Sequence, residues 1–290
     1  MAMHVLSSIP LIGALLVGPG SDGLADSLAA APAQTEVLQG LDTVILTQIN
    51  AIFGSELLPV ANGAPVEPGM YAIVSPQQFS IFDQKIADLQ AGALPAGPAS
   101  RECKSGCKEL VWNGFRNAWL QLSEENQTYD IELPTRVMIG AEASVPAHTV
   151  LELAYAAAES RPGGLAPNLA LLINGGNAGL RTRPFYLLPP GGLRVSPGDN
   201  VLGLRVKLGA GETFTIEAAH PRFAPEVSGT GWKALAAELT KIKKAWPNKG
   251  ALIIDVGDDA SVGDVVNVMI AAQKHFDDFV LTDGLPVRWG

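Results

Sequence analysis

The strongest constraint on this chain is a likeness between its middle and its end. The segment IGAEASVPAHTVLELAYAA, Ile139 to Ala157, aligns without gaps with IDVGDDASVGDVVNVMIAA, Ile254 to Ala272, so each residue of the first lies 115 positions before its counterpart. In both, an apolar strand runs into a loop with acidic residues, Glu142 in one and Asp258 and Asp259 in the other, and a helix follows. The helical apolar positions are Val150, Leu153, Ala154 and Ala157 in the first copy and Val265, Val268, Met269 and Ala272 in the second. Both sets have the i, i+3, i+4, i+7 spacing of one buried helix face. An internal repeat of this kind decides the architecture before any single element does.

The likeness extends in both directions. Each helix leads to a further strand ending in a glycine turn, NLALLINGG (Asn168 to Gly176) and DDFVLTDG (Asp277 to Gly284); the first copy reaches it through a longer connection, Arg161-Pro162-Gly163-Gly164. Upstream, MYAIVSPQQFSIF matches FTIEAAHPRFAPE more weakly, with Phe79 and Phe223 in corresponding places. Helices led by tryptophan follow, LVWNGFRNAWLQLSE from Leu110 and TGWKALAAELTKIKKAW from Thr230. The order strands, helix, strand, helix, strand predicts an α+β chain of two tandem two-layer modules, each a small mixed sheet with two helices on one face. The boundaries expected are an N-terminal apolar segment and helix over 1–69, a first module over 70–180, and a linker hairpin with a second module over 181–290. In the last of these, Arg181 to Gly211 reads as a linker with an added strand or hairpin. Before the first module, Val37, Leu41, Val44, Ile45 and Ile49 are spaced for a packing helix.

Hydrophobic residues make up 47% of the 290, enough for a packed core in two domains. A net charge of -9 repels phosphate backbones, so nucleic acid is not an expected partner. The uncharged run Val5 to Val17 is shorter than the ~20 residues that a spanning helix needs, and the chain is expected to have no membrane span of its own. The same run followed by Ala31-Pro32-Ala33 reads as a signal peptide without a positive n-region, as a buried terminal segment, or as a start downstream of a membrane helix. Cys103 and Cys107, in RECKSGCKEL, leave three states open: a local disulfide, two free thiols, or a metal or redox dithiol.

The second copy resembles the periplasmic domain of the ExbD/TolR family of biopolymer transport proteins. The likeness rests on Ile253 and Ile254, the loop Gly257 to Asp259, Ser261-Val262-Gly263, and the helix start Val265-Val266-Asn267-Val268-Met269. It covers Phe214 to Gly284 and reaches the first copy only through the internal repeat. Where the family's loop has an acidic residue, the first copy has Glu142, whereas the second has Gly257 beside Asp258 and Asp259. The first copy keeps Val145-Pro146 but has Ala147-His148 in place of the family's Tyr-Gly. The resemblance implies a non-enzymatic protein of the periplasm or cell envelope, binding envelope proteins or cell wall in a system driven by proton-motive force. It also implies that the tandem imitates a dimer within one chain. Family members carry an intramembrane Asp; Asp22 and Asp26 lie outside the apolar run, so proton movement would belong to a partner, such as a proton-channel complex.

No local motif assigns a catalytic residue, a cofactor or a metal. His148, near Glu142 and Glu152, falls at a helix N-terminus, where a solvated or capping role is expected. His220 precedes a proline in a turn, and INGGNAGLR (Ile173 to Arg181) reads as a turn and not a phosphate loop. Asp255, Asp258, Asp259 and Asp264 crowd one loop; capping and helix-dipole roles are favoured over calcium. Lys241, Lys243, Lys244 and Lys249 form a basic run on an acidic chain, a solvated face or a contact for an anionic partner. Two other classes stay open: an enzyme or small-ligand-binding protein with a site assembled from distant residues, and a soluble structural adaptor.

Overall fold

The parallel pairing of β-strands joined through helices organises the chain. The computed structural model describes residues 43–129, 134–163, 167–195, 203–218, 226–247 and 250–289, and the features below belong to these residues. Helix α1 covers 43–52. The first half continues with β1 (Ala64–Pro65), β2 (Met70–Val74), β3 (Gln78–Ile81), β4 (Gln84–Asp88), α2 (Glu109–Tyr129), β5 (Arg136–Ala141), α3 (Ala147–Glu159), β6 (Asn168–Asn174) and β7 (Leu180–Leu187). The second half contains β8 (Leu193–Val195), β9 (Leu204–Leu208), β10 (Thr213–Ala218), β11 (Val227–Thr230), α4 (Trp232–Ala245), β12 (Leu252–Asp255), α5 (Val262–Ala272), β13 (Phe279–Thr282) and β14 (Val287–Trp289). The fold is α+β, with twelve strands in one mixed sheet.

The strand order is β11-β10-β9-β12-β13-β7-β6-β5-β2-β3-β4, with β1 beside β7 and a separate β8–β14 pair. Its two flanks repeat each other. In one, β2 is antiparallel to β3 and parallel to β5, which is parallel to β6; in the other, β9 is antiparallel to β10 and parallel to β12, which is parallel to β13. The register repeats too. Val137 pairs with Leu169 and Ile139 with Leu171, as Leu252 pairs with Phe279 and Ile254 with Leu281.

Two expectations are corrected. The stretch from Arg181 is not a linker: Leu180–Leu187 is β7, a central strand antiparallel to β6 and parallel to β13 at Tyr186 and Leu187, so a boundary at 181 cuts a strand. The strand matching β2 is LRVKL of β9, so the partner of Phe79 is Phe214. Phe79 pairs with Val74 as Phe214 pairs with Leu208, whereas Phe223 lies outside the described residues. The weak upstream match paired the wrong strands because β2 is buried on both faces and β9 on alternate residues only.

That difference has a cause in the layers. Alternate residues Met70, Ala72 and Val74 join the core formed with α2, α3, α4 and α5, while Tyr71 and Ile73 pack with Ile45 and Ile49 of α1 on the opposite face. A strand covered on both sides reads as an unbroken apolar run. In the second half, Leu204, Val206 and Leu208 face the helices, and Arg205 and Lys207 point to the other side. There Arg205 pairs with Asp255 and Lys207 with Glu217 (2.6 Å). Of the residues expected to form the packing helix, Ile45 and Ile49 are fully buried, Val44 is exposed, and Val37 and Leu41 lie outside the described residues.

Pro184 sits inside β7, where a missing N–H would normally break a ladder. On the edge away from β6, β7 pairs with β1 at Arg181 and Thr182 and with β13 at Tyr186 and Leu187, and Pro184 falls in the gap. Arg183 beside it is buried against α5. It donates to the carbonyls of Met269 (3.2 Å) and Asn62 (3.0 Å) and to Gln273 Oε1 (3.1 Å), and its guanidinium lies 5.2 Å from the centre of the Phe279 ring. A cation on the carbonyls that end a helix is favoured by the dipole. Burial pushes its pKa below the ordinary value.

In the helical layer, Trp119 is fully buried and its Nε1 donates to the carbonyl of Ala157 (3.1 Å), joining α2 to the end of α3. Trp119→Ala is expected to cost about 3–5 kcal/mol in chemical denaturation, whereas truncating the exposed Leu120 should stay within about 0.5 kcal/mol.

Candidate functional site

The two aligned segments meet face to face. Pro146 and Ser261 form an antiparallel bridge; Ala147 N donates to Ala260 O (2.8 Å), and Val262 N donates to Val145 O (2.9 Å). At the offset of 115, Pro146 bridges its own counterpart Ser261, Ala147 bonds to the counterpart of Val145, and Val262 bonds to the counterpart of Ala260. This reciprocity, in which i meets j and the copy of i meets the copy of j, defines an isologous twofold contact. Here it lies within one chain.

The contact is twofold only in part. Ser261 caps α5 in a capping box with Asp264, whereas the N-cap of α3 is Pro146, which has no side-chain bond to give. Gly263 N donates to Ala143 O (2.9 Å), and a Cβ at 263 would stand 3.1 Å from that oxygen. The corresponding residue in the first copy is His148, which lines a cleft of about 300 Å³.

The cleft is built from both halves. His148, Leu151, Glu152 and Tyr155 of α3 form one wall, Lys104–Cys107 another, and Asp283 after β13 a third. Cys103 and Cys107 are joined by a disulfide, one of the three states that their spacing left open. The small loop that it closes lies on α3 by polar contacts. Glu159 accepts from the backbone of Lys104 and Ser105 and from Ser105 Oγ, and Glu152 accepts from Lys108 N (2.7 Å) and Nζ (3.4 Å). Tyr155 donates to the carbonyl of Leu188 (2.6 Å), and burial, with the charges of Asp283 and Glu159, pushes its phenol up to about 12. These side chains hold the loop and the end of β7 in place. Also lining the cleft are His148, whose buried Nδ1 has no hydrogen-bond partner in the protein, and Asp283. His148 therefore lines a cleft and does not cap α3.

Asp283 has its pKa raised above 3.8 by partial burial and by the neighbouring charges of Asp255 and Asp258; His148 acts in the opposite direction. The four clustered aspartates do not converge. Asp255 pairs with Arg205 and accepts from Gly284 N (2.8 Å), Asp264 caps α5, and no group of three or more metal-ligating side chains occurs among the described residues. INGGNAGLR is a turn, with a short 3-10 helix at Gly176–Ala178 between β6 and β7.

The basic run does not form one face. Lys243 is buried with Nζ 4.8 Å from the centre of the Phe276 ring, Lys241 pairs with Glu238 (2.6 Å), Lys244 is exposed, and Lys249 lies outside the described residues, as does His220. The i, i+4, i+8 stripe Leu235, Leu239, Lys243 carries a lysine into the interior by its aliphatic stem. Arg183 and Asp283 were not singled out from sequence, because each gains its surroundings from the other half of the chain. No family model, curated protein or solved structure matches this chain.

A raised carboxyl pKa means that stability is fully present below the unfolded value near 3.8 and is lost as pH rises through the folded one. Asp283→Asn is thus expected to raise the melting temperature by about 1–2 °C at pH 7, a small gain because the site is open to solvent. The gain should vanish below about pH 4, which thermal unfolding at both pH values checks.

Proposed function

We propose that this chain is a non-enzymatic cell-envelope protein in which two modules of the ExbD/TolR periplasmic kind, joined in tandem, act as a dimer within one polypeptide. The observation that carries the reading is the reciprocal bonding of Val145–Ala147 with Ala260–Val262, since equivalent residues meet as they would across the axis of a homodimer. The repeated strand order of the two flanks supports it. The Cys103–Cys107 disulfide suits an oxidising compartment such as the periplasm. No helix among the described residues is long and apolar enough to cross a membrane. On this reading the chain binds envelope proteins or cell wall in biopolymer transport, and a proton-channel complex supplies the energy.

A second reading, a receptor for a small polar ligand, is favoured by the convergence of His148 and Asp283 from different halves on the 300 Å³ cleft. Fractionation of the native host followed by pull-down of the full chain separates the two. Recovery from the envelope with a proton-channel complex is the expected result. A cytosolic location with both cysteines reduced would overturn the proposal.

A further inference from the structure

The two halves treat the same helix face in different ways. On α3, Glu152 and Glu159 are covered by the disulfide loop, whose backbone N–H groups and Lys108 they bind. At the offset of 115 their counterparts are Asn267 on α5 and Lys274 in the turn just after it, and Tyr155 and Ala156 correspond to Ile270 and Ala271. The connection in the matching place is a single residue, Gly231, because β11 ends at Thr230 and α4 begins at Trp232. In the first half, β4 ends at Asp88 and α2 begins at Glu109, and the intervening chain supplies the cover.

The result is an open groove of about 450 Å³ between α4 and α5. Its α4 wall carries Lys233, Ala236, Ala237 and Thr240, and its other wall Asn267, Ile270 and Ala271 of α5 with Lys274 in the turn that follows. The buried stripe of α4, Leu235, Leu239 and Lys243, has the spacing of Val111, Phe115 and Trp119 on α2. The residues that follow the first two stripe positions are the large Trp112 and Arg116 in α2 and the small Ala236 and Thr240 in α4. Side-chain bulk thus fills one half and leaves space in the other. At the same groove, Thr240 Oγ1 and His275 Nε2 share a hydrogen bond (2.9 Å) that ties α4 to the turn after α5. Among the described residues lining the groove there are two lysines and no carboxylate, although the chain carries -9 overall.

We propose that the α4–α5 groove docks a short acidic segment of a partner protein, apolar contacts going to Ile270, Ala236 and Ala237 and carboxylates to Lys233 and Lys274. The geometry is that of the α3 cover with its polarity reversed: carboxylates on the helix receive a loop there, and lysines at the rim of the groove receive carboxylates here. Electrostatic complementarity selects such a partner from neutral or basic competitors. The inference rests on the reading of the chain as a partner-binding protein, but not on the family resemblance.

The test places a photoreactive side chain at Ala237 of the full chain in its native host and maps the adduct by mass spectrometry. The expected adduct is a partner segment containing several Asp or Glu residues. Its yield should fall about tenfold in the Lys233→Glu, Lys274→Glu double variant and be retained with Arg at both positions. Unchanged thermal unfolding of the charge-reversal variant excludes misfolding as the cause; if that variant unfolds early, 0.5 M salt on the wild-type chain gives the same reading, since screening weakens exposed ion pairs. An adduct no stronger than that from the same probe at Leu120 would overturn the groove. So would an adduct to lipid, to a second copy of this chain or to a segment without carboxylates, or one indifferent to both charge reversal and salt. If pull-down still recovers a proton-channel complex in that case, the binding function stands and only the groove is rejected.

Discussion

The antiparallel bridge between Pro146 and Ser261 fixes the relation of everything around it. Its two flanking bonds, from Ala147 to Ala260 and from Val262 to Val145, bring the N-termini of α3 and α5 together at one place. Each first helical turn has backbone N–H groups without intrahelical partners. Here part of that need is met by the other copy's loop. The same groups in an isolated module would turn to water. Pairing equivalent loops therefore gives each copy a use for the other, and β7 extends the pairing into the sheet by bonding β6 on one edge and β13 on the other.

Once the copies are fixed in this way, identical faces can diverge. The outer face of the first flank is covered by α1, and Tyr71, Ile73, Met138 and Leu172 are apolar and buried there. The matching face of the second flank carries Arg205, Lys207, Glu217 and Asp255, paired across neighbouring strands. Paired charges at a half-buried surface gain little stability, but leaving one unpaired there is costly, and the pairing keeps both flanks compatible with a single sheet.

On the helical side the two halves diverge in both cover and chemistry. Glu152 and Glu159 draw the disulfide loop onto α3, and with Tyr155 they frame the cleft that His148 and Asp283 line. Gly263, Asn267 and Lys274 at the corresponding places leave no imidazole, no carboxylate and a positive charge. The one face is closed and acidic-walled, and the other is open and basic.

The sequence by itself determined the α+β class, the strand–helix–strand units around Ile139 and Ile254, and their common offset, because local periodicity and helix stripes are written in neighbouring residues. It also marked the turn at Gly175-Gly176 and the short spacing of Cys103 and Cys107. It could not show that Leu180–Leu187 is a central strand, since Arg181, Arg183 and Pro184 read as linker until Met269, Gln273 and the gap between β1 and β13 give each a place. Nor could it separate Lys243 from Lys244, or match β9 with β2: burial of a lysine stem and cover by α1 depend on residues far away in the chain. Only the tertiary structure decided that the two repeats meet at their loops, because hydrogen bonds between backbone groups leave no mark on side-chain identity.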